Sequence, residues 1–254
     1  MALPTKQTIE GAELSALKWL LYGPPGIGKS TFFSKAIKGN RKPLFLFTDP
    51  GLRFIKAYKK PIMTWREFSK VVKEDIIKAN PKLYSMVVID TADLLFRMCR
   101  AEVCLKKNIS HVSDLEWGKG YDLVRDEFEQ VISLLARWCD DHDTGLAFIS
   151  HSKDVDIRGR TQKTNKLVPT LPKQCHDIIA PLCDIIGYAG FTQEKADRVD
   201  GEMGRVILFT PDETVEAKDR SGLFPEKCKL DWDAVKECLD GPGAEKEVEE
   251  VVED

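Results

Sequence analysis

The stretch Gly23-Pro24-Pro25-Gly26-Ile27-Gly28-Lys29-Ser30 fits the pattern G-x-x-x-x-G-K-[ST], and no other feature of this chain restricts its fold so strongly. The pattern is that of a phosphate-binding loop between a strand and a helix. Its glycines let backbone N–H groups turn inward around phosphate oxygens, the lysine reaches the terminal phosphates, and the serine hydroxyl is a magnesium ligand. Thr31 follows as the next residue of the helical turn. The flanks agree with this reading: Leu17 to Tyr22 (LKWLLY) is a short apolar run of the kind a buried strand makes, and Lys29 to Lys38 carries a helical pattern.

Further strands and helices alternate along the chain. Pro43 to Phe47 reads as a buried strand and Pro61 to Met63 as a short one, leading into a helix at Thr64 with Glu67 completing a capping box. Tyr84 to Asp90 (YSMVVID) is apolar and β-branched, as suits a central parallel strand covered on both faces. Helices are expected over Ala92 to Leu105 and Tyr121 to Trp138, then a strand over Gly145 to Ser150. This alternation predicts an α/β fold, a mainly parallel sheet flanked by helices with right-handed crossovers. The last third changes character. Ile185 to Thr192 and Arg205 to Thr210 read as antiparallel strands joined through Asp200-Gly201, Glu213 to Ala217 as one more strand, and Trp232 to Leu239 as a final helix.

Length and charge place the partners. With 254 residues, one domain over 1–240 is expected, followed by a tail, 241–254, that lacks aromatics and reads as disordered. The net charge of −3 is uneven, because the tail holds six acids against Lys246 and leaves the body mildly basic. Low net charge therefore does not exclude a nucleic-acid partner. No apolar run is long enough for a membrane span and Met1 to Glu10 lacks a signal-peptide pattern, so no membrane partner and a cytoplasmic location are expected. The seven cysteines never stand as C-x-x-C. Cys175, His176 and Cys183 offer three scattered ligands and read as packing residues rather than a zinc site.

Several residues carry candidate chemistry. Asp90 ends its strand 61 positions after Lys29, where a carboxylate at a carboxyl strand end can hold a magnesium ion's water shell. Asp49, just past the Pro43 to Phe47 strand, can orient an attacking water, and His151, after the Gly145 to Ser150 strand, faces the same edge. Between Lys153 and Lys173 lie Arg158, Arg160, Lys163 and Lys166 with few acids, read as a mobile cationic loop for a nucleic-acid backbone. Lys106 and Lys107, with Lys119 and Trp117 nearby, form a second, weaker candidate.

Taken in order, YGPPGIGKST, FLFTDPGL, VVIDTADLL, WGKGYDLVRDEF, FISHSKD and AKDRSGLFPE resemble the RecA-type recombinase core, and more closely the compact phage RecA-like ATPases of single-strand annealing. The resemblance spans roughly Leu17 to Leu230. It implies ATP and Mg2+ as cofactors, single-stranded DNA as partner, and self-association into a filament or ring; a phage origin would place the protein in the host cytoplasm. By position, Asp49 stands where the recombinases carry a catalytic glutamate, a departure by one methylene, and His151 stands at the γ-phosphate sensor. The basic segment after His151 would be the second DNA-binding loop, and Lys106 to Lys119 lies near the first. Lys218 and Arg220 resemble the paired cations that enter a neighbouring subunit's nucleotide site. The function so implied is ATP-dependent annealing or strand pairing. The alternatives are a hexameric helicase or loader motor and a P-loop small-molecule phosphotransferase. The acidic tail would compete with DNA for the basic loop, dock a single-strand binding protein, or simply solubilise.

Overall fold

The computed structural model describes residues 13–78, 83–158, 163–192 and 203–240. The tail at 241–254, Arg160, and the Asp200-Gly201 turn lie outside the described residues, as do the side chains of Arg158 and Lys163.

The phosphate-loop strand is the hub. It is β1 (Lys18–Gly23), and its side chains alternate between the two faces of the sheet, Leu20 and Tyr22 into one apolar cluster, Trp19 and Leu21 into the other. The strands β4 (Tyr84–Asp90) and β5 (Gly145–Arg158) alternate likewise, Val87, Ile89, Leu146 and Phe148 on one side, Met86, Val88, Ala147 and Ile149 on the other. Helices cover both faces. α2 (Trp65–Lys70), α3 (Ala92–Lys107), α4 (Lys119–Asp141) and α5 (Lys173–Leu182) cover the first face; α1 (Lys29–Ser34) and α6 (Trp232–Asp240) cover the second. There Trp19 meets Phe32 and Phe33 of α1 and Trp232 of α6, ring centroids 5.9, 6.0 and 6.4 Å apart.

The remaining strands are β2 (Lys42–Phe47), β3 (Tyr58–Pro61), β6 (Lys163–Pro169), β7 (Ile185–Phe191), β8 (Arg205–Leu208), β9 (Lys218–Asp219) and β10 (Lys227–Lys229). The sheet order is β10-β8-β7-β1-β5-β4-β2-β3, parallel from β7 to β3 and antiparallel at the β8 and β10 end. The fold is therefore the expected α/β P-loop architecture with antiparallel strands added in the C-terminal third. β5 lies between β1 and β4, so the phosphate loop and Asp90 are brought together across a third strand.

The structure corrects some local expectations. α1 stops at Ser34 because Lys38 pairs with Arg41 around Gly39, whose φ of 55° suits only a turn. The third strand sits earlier, at Tyr58–Pro61, because it is an exposed edge strand whose lysines hide the apolar signal. Glu213 to Ala217 is not a strand: only Val215 bridges Leu167. The largest correction concerns 153–173. It is not a loop, since β5 continues to Arg158 and β6 returns antiparallel from Lys163, with Ser152 opposite Pro169 and Val155 opposite Lys166. Lys153, Asp154 and Asp156 stay exposed and Lys166 half-buried, so polarity masked the extended backbone.

Cys175 and Cys183, at the two ends of α5, are buried in the core, while His176 is hydrogen-bonded at 2.6 Å to Glu216. Packing, not metal ligation, accounts for them. Among the described residues no helix is long and apolar enough to cross a membrane.

Candidate functional site

At the carboxyl ends of β1, β5, β4 and β2 the chain encloses a cleft of about 340 Å³. The loop from Gly23 to Gly28 forms one wall. Gly26 and Gly28 hold φ of 75° and 116°, values that favour glycine, and α1 begins directly after Gly28. Gly23 has a different reason to be glycine: a Cβ there would stand 2.1 Å from the Ala189 carbonyl oxygen of β7.

Lys29 is buried, its Nζ donating to the Gly23 and Pro24 carbonyls at 2.8 and 2.9 Å, which folds the side chain back over the loop. Burial pulls its ammonium down to about 8, against Asp90 and Asp93, whose carboxylates hold it up. Ser30 Oγ donates to Asp90 Oδ2 at 2.6 Å. Burial pushes the Asp90 carboxyl above its ordinary range, opposed by the Ser30 hydroxyl and by Lys29. Serine, lysine and aspartate thus meet in one place, as their spacing predicts.

Thr48 pins the end of β2 to the end of β4. Its N–H donates to the Asp90 carbonyl at 2.7 Å, and its Oγ1 accepts from Thr91 N–H at 3.0 Å. Asp49, the next residue, is exposed on the cleft wall. His151 stands opposite Gly23 in the β1–β5 register and also lines the cleft. Its Nδ1, like Thr91 Oγ1, is buried without a hydrogen-bond partner among the described residues. Buried polar atoms are rarely left so, and here both belong to residues that line the cleft. With a carboxylate, a hydroxyl, a cation and orphaned polar atoms around one cavity, the residues fit a magnesium-bound nucleoside triphosphate.

Behind His151 the cleft is tied to the hairpin. Thr170, just after β6, donates its N–H to the His151 carbonyl at 2.9 Å and its Oγ1 to Asp93 Oδ2 at 2.6 Å. Asp93 is buried in the first turn of α3. Thr48, Thr91, Asp93 and Thr170 were not singled out from the sequence. Thr91 had a usable signal, its place next to Asp90; the Asp93–Thr170 pair had none, because 77 positions separate them.

The cationic candidates divide by position. β5 leaves the sheet past His151, so Lys163 and Lys166 on β6 belong to a hairpin rooted at the cleft. α3 packs antiparallel to α4, with Phe96 against Phe128 and Cys99 near Val124, and α4 returns to the amino end of β5, where Lys18 pairs with Asp140. Lys106 and Lys107 close α3, and Lys106 lines a depression with Trp65 and Lys70 of α2 on the helical flank of the sheet. Lys106 is paired with Glu127 at 3.0 Å, whereas Trp117, in the connection that follows, is 90% exposed.

Lys218 and Arg220 lie elsewhere. β9 pairs with the start of β7, Ile186 opposite Lys218, at the amino end of the parallel strands, so neither residue reaches this chain's own cleft. Lys218 Nζ donates to the Ala180 and Cys183 carbonyls at 2.9 and 2.6 Å, and Arg220 to the Pro181 carbonyl at 2.7 Å. Both cations serve the carboxyl end of α5, where the helix dipole favours positive charge.

Comparison with known proteins gives one positive finding. A family model described as an AAA domain matches residues 15–221, which takes in every strand of the parallel sheet and the whole cleft. No curated protein sequence matches the chain.

Proposed function

The chain belongs to the AAA domain family, the nucleotide-hydrolysing P-loop ATPases, and on that premise we propose that it is an ATP- and Mg2+-dependent motor of DNA recombination that assembles on single-stranded DNA and promotes annealing or strand pairing. One observation carries this reading: the 14-residue strand β5 holds His151 in the cleft and then continues into the cationic hairpin. A change at the phosphates and a change at the hairpin are then movements of the same strand.

The residues divide the work by position. Lys29 neutralises the terminal phosphates, while Ser30 and Asp90 hold the magnesium. A bound Mg2+ held there would supply charge neutralisation to the phosphates. Asp49 on the opposite wall orients the attacking water and accepts its proton, and His151 senses the γ-phosphate through its ring. Thr170 and Asp93 transmit the position of His151 to the base of the hairpin, and farther along it Arg158, Lys163 and Lys166, with Arg160 between them in sequence, meet the DNA backbone. Lys106 and Lys107 extend the cationic surface. Lys218 and Arg220 lie at the amino end of the sheet, away from this chain's own cleft and bonded to the end of α5; in a head-to-tail filament or ring Arg220, which is exposed, would have to leave that site to enter a neighbour's cleft.

The test is ATP hydrolysis with and without single-stranded DNA at low and moderate salt, with Lys29→Ala as the blank. Stimulation that fades with salt is expected. A wild-type rate above the blank that ignores DNA would overturn the DNA reading and favour a phosphotransferase; duplex unwinding would favour a helicase.

A further inference from the structure

Lys29, Ser30 and Asp90 fix where the terminal phosphates of a triphosphate lie. Thr31, the next residue of α1, lines the same cleft and is exposed, so the cleft opens to solvent on that side. Beyond Thr31 a second depression of about 110 Å³ opens between the phosphate loop and the C-terminal third of the chain. It shares Gly28 and Thr31 with the phosphate cleft, so the two are continuous around the start of α1.

This depression is a built slot. Arg205, from the first position of β8, brings Nη1 to 3.4 Å from the Ile27 carbonyl. A Cβ placed on Gly28 would meet Arg205 Nη1 and Leu230 Cδ2, each at 3.6 Å, so guanidinium and leucine both stand at contact distance from the loop. Leu230 is held in register with Arg205 by its N–H, which donates to the Arg205 carbonyl at 2.8 Å. At the rim Asp231 pairs with Lys35 of the turn that ends α1 and caps the start of α6 through Asp233 N–H at 3.1 Å. Volume and lining chemistry agree: about 110 Å³ is room on the scale of a single base, with a planar cation and an aliphatic side chain beside it.

We infer that this slot receives the purine base of the bound nucleoside triphosphate, with Arg205 stacking its guanidinium on the ring and Leu230 supplying apolar contact. The inference rests on the cleft being a triphosphate site. It assigns base recognition to the C-terminal third, 182 positions or so after the loop for Arg205 if counted from Gly23, so the loop motif itself is blind to the base. Arg205 is then a specificity residue and not a catalytic one.

Calorimetric binding of Mg-ATP and of magnesium tripolyphosphate separates the base from the phosphates. Arg205→Lys keeps the charge but loses the planar stacking surface, and Leu230→Trp fills the slot. Both variants are expected to weaken ATP about five- to twenty-fold while leaving tripolyphosphate within about twofold. Arg205→Lys changes an exposed residue, so its result stands even if Leu230→Trp fails to fold. Unchanged ATP affinity in Arg205→Lys, or an equal loss for both ligands, would overturn the slot assignment while leaving the cleft reading intact. A wild-type protein that binds neither ligand would overturn both.

Discussion

Ser30 Oγ and Asp90 Oδ2 stand 2.6 Å apart although β1, which leads through the phosphate loop to Ser30, and β4, which ends in Asp90, are not neighbours in the sheet. The bond reaches across the carboxyl end of β5, which also presents His151. The hydroxyl, the carboxylate and the imidazole are therefore assembled by one strand order, and moving any of the three strands would disperse them.

The carboxyl of Asp90 titrates above the ordinary carboxylate range because it is buried, so the native state keeps the proton longer than the unfolded chain does. Stability conferred at this position then falls as pH rises from the ordinary carboxylate pKa through the raised one, and at pH 7 the buried charge is a cost. Asp90→Asn is expected to raise the nucleotide-free Tm by roughly 2–4 °C, about 1 kcal/mol, and to abolish magnesium-dependent turnover. Scanning calorimetry checks it; a Tm below wild type at pH 7 refutes the electrostatic account.

Lys29 gives the opposite kind of signal. Its ammonium titrates at about 8 in the free protein and must be charged to hold phosphate. Phosphate binding takes up a proton once the pH passes this value, so the Kd for Mg-ATP is expected to rise above pH 8, approaching tenfold per pH unit. In Lys29→Arg the slope vanishes, because a guanidinium does not titrate there. Titrations from pH 7 to 9.5 decide the matter, and a flat wild-type profile counts against a lysine on the phosphates.

The proposed role of His151, sensing the γ-phosphate rather than binding the nucleotide, has its own test. His151→Ala is expected to lower ATP turnover roughly 10²-fold, to leave ATP affinity within about threefold, and to remove stimulation by DNA. His151→Gln, which keeps a polar group at the same reach, is expected to recover part of each. Parallel loss of affinity and rate in the alanine variant would make the residue a binding group.

If the hairpin meets the DNA backbone, replacing Lys163 and Lys166 together by alanine is expected to flatten the slope of log K against log salt for single-stranded DNA by about 1.4. An unchanged slope would mean that these two lysines neutralise no phosphates.

Gly23→Ala is a stability test. The added methyl would meet the backbone carbonyl oxygen of Ala189 at 2.1 Å, with no flexible side chain to yield. A loss of about 2–4 kcal/mol in urea unfolding is expected. A smaller loss would show that β1 and β7 part easily at this point.

The phosphate loop, the YSMVVID strand and the helix cap at Thr64 were legible because each is local: turn glycines, a buried apolar run and a side chain that closes on its own helix need only their neighbours in sequence. Glu67, however, returns its carboxylate to Met63 N–H and not to Thr64, so the expected capping box is only half made. The hairpin over 153–169 was not. Its strands are polar on their open faces, so composition pointed to a loop while pairing with each other satisfied the backbone. Lys218 and Arg220 show the same limit from another side, because a cation's sequence position does not say which helix end it will serve.

By itself the sequence determined the chemistry at the loop and the α/β alternation, since both are written in short-range backbone and apolar patterns. Only the tertiary structure decided that β5 runs between β1 and β4, that Asp93 reaches Thr170, and that Arg205 and Leu230 stand against Gly28. Strand order and these contacts come from pairing and burial between distant segments, whose free energy depends on which surfaces close against each other and not on any one segment's composition.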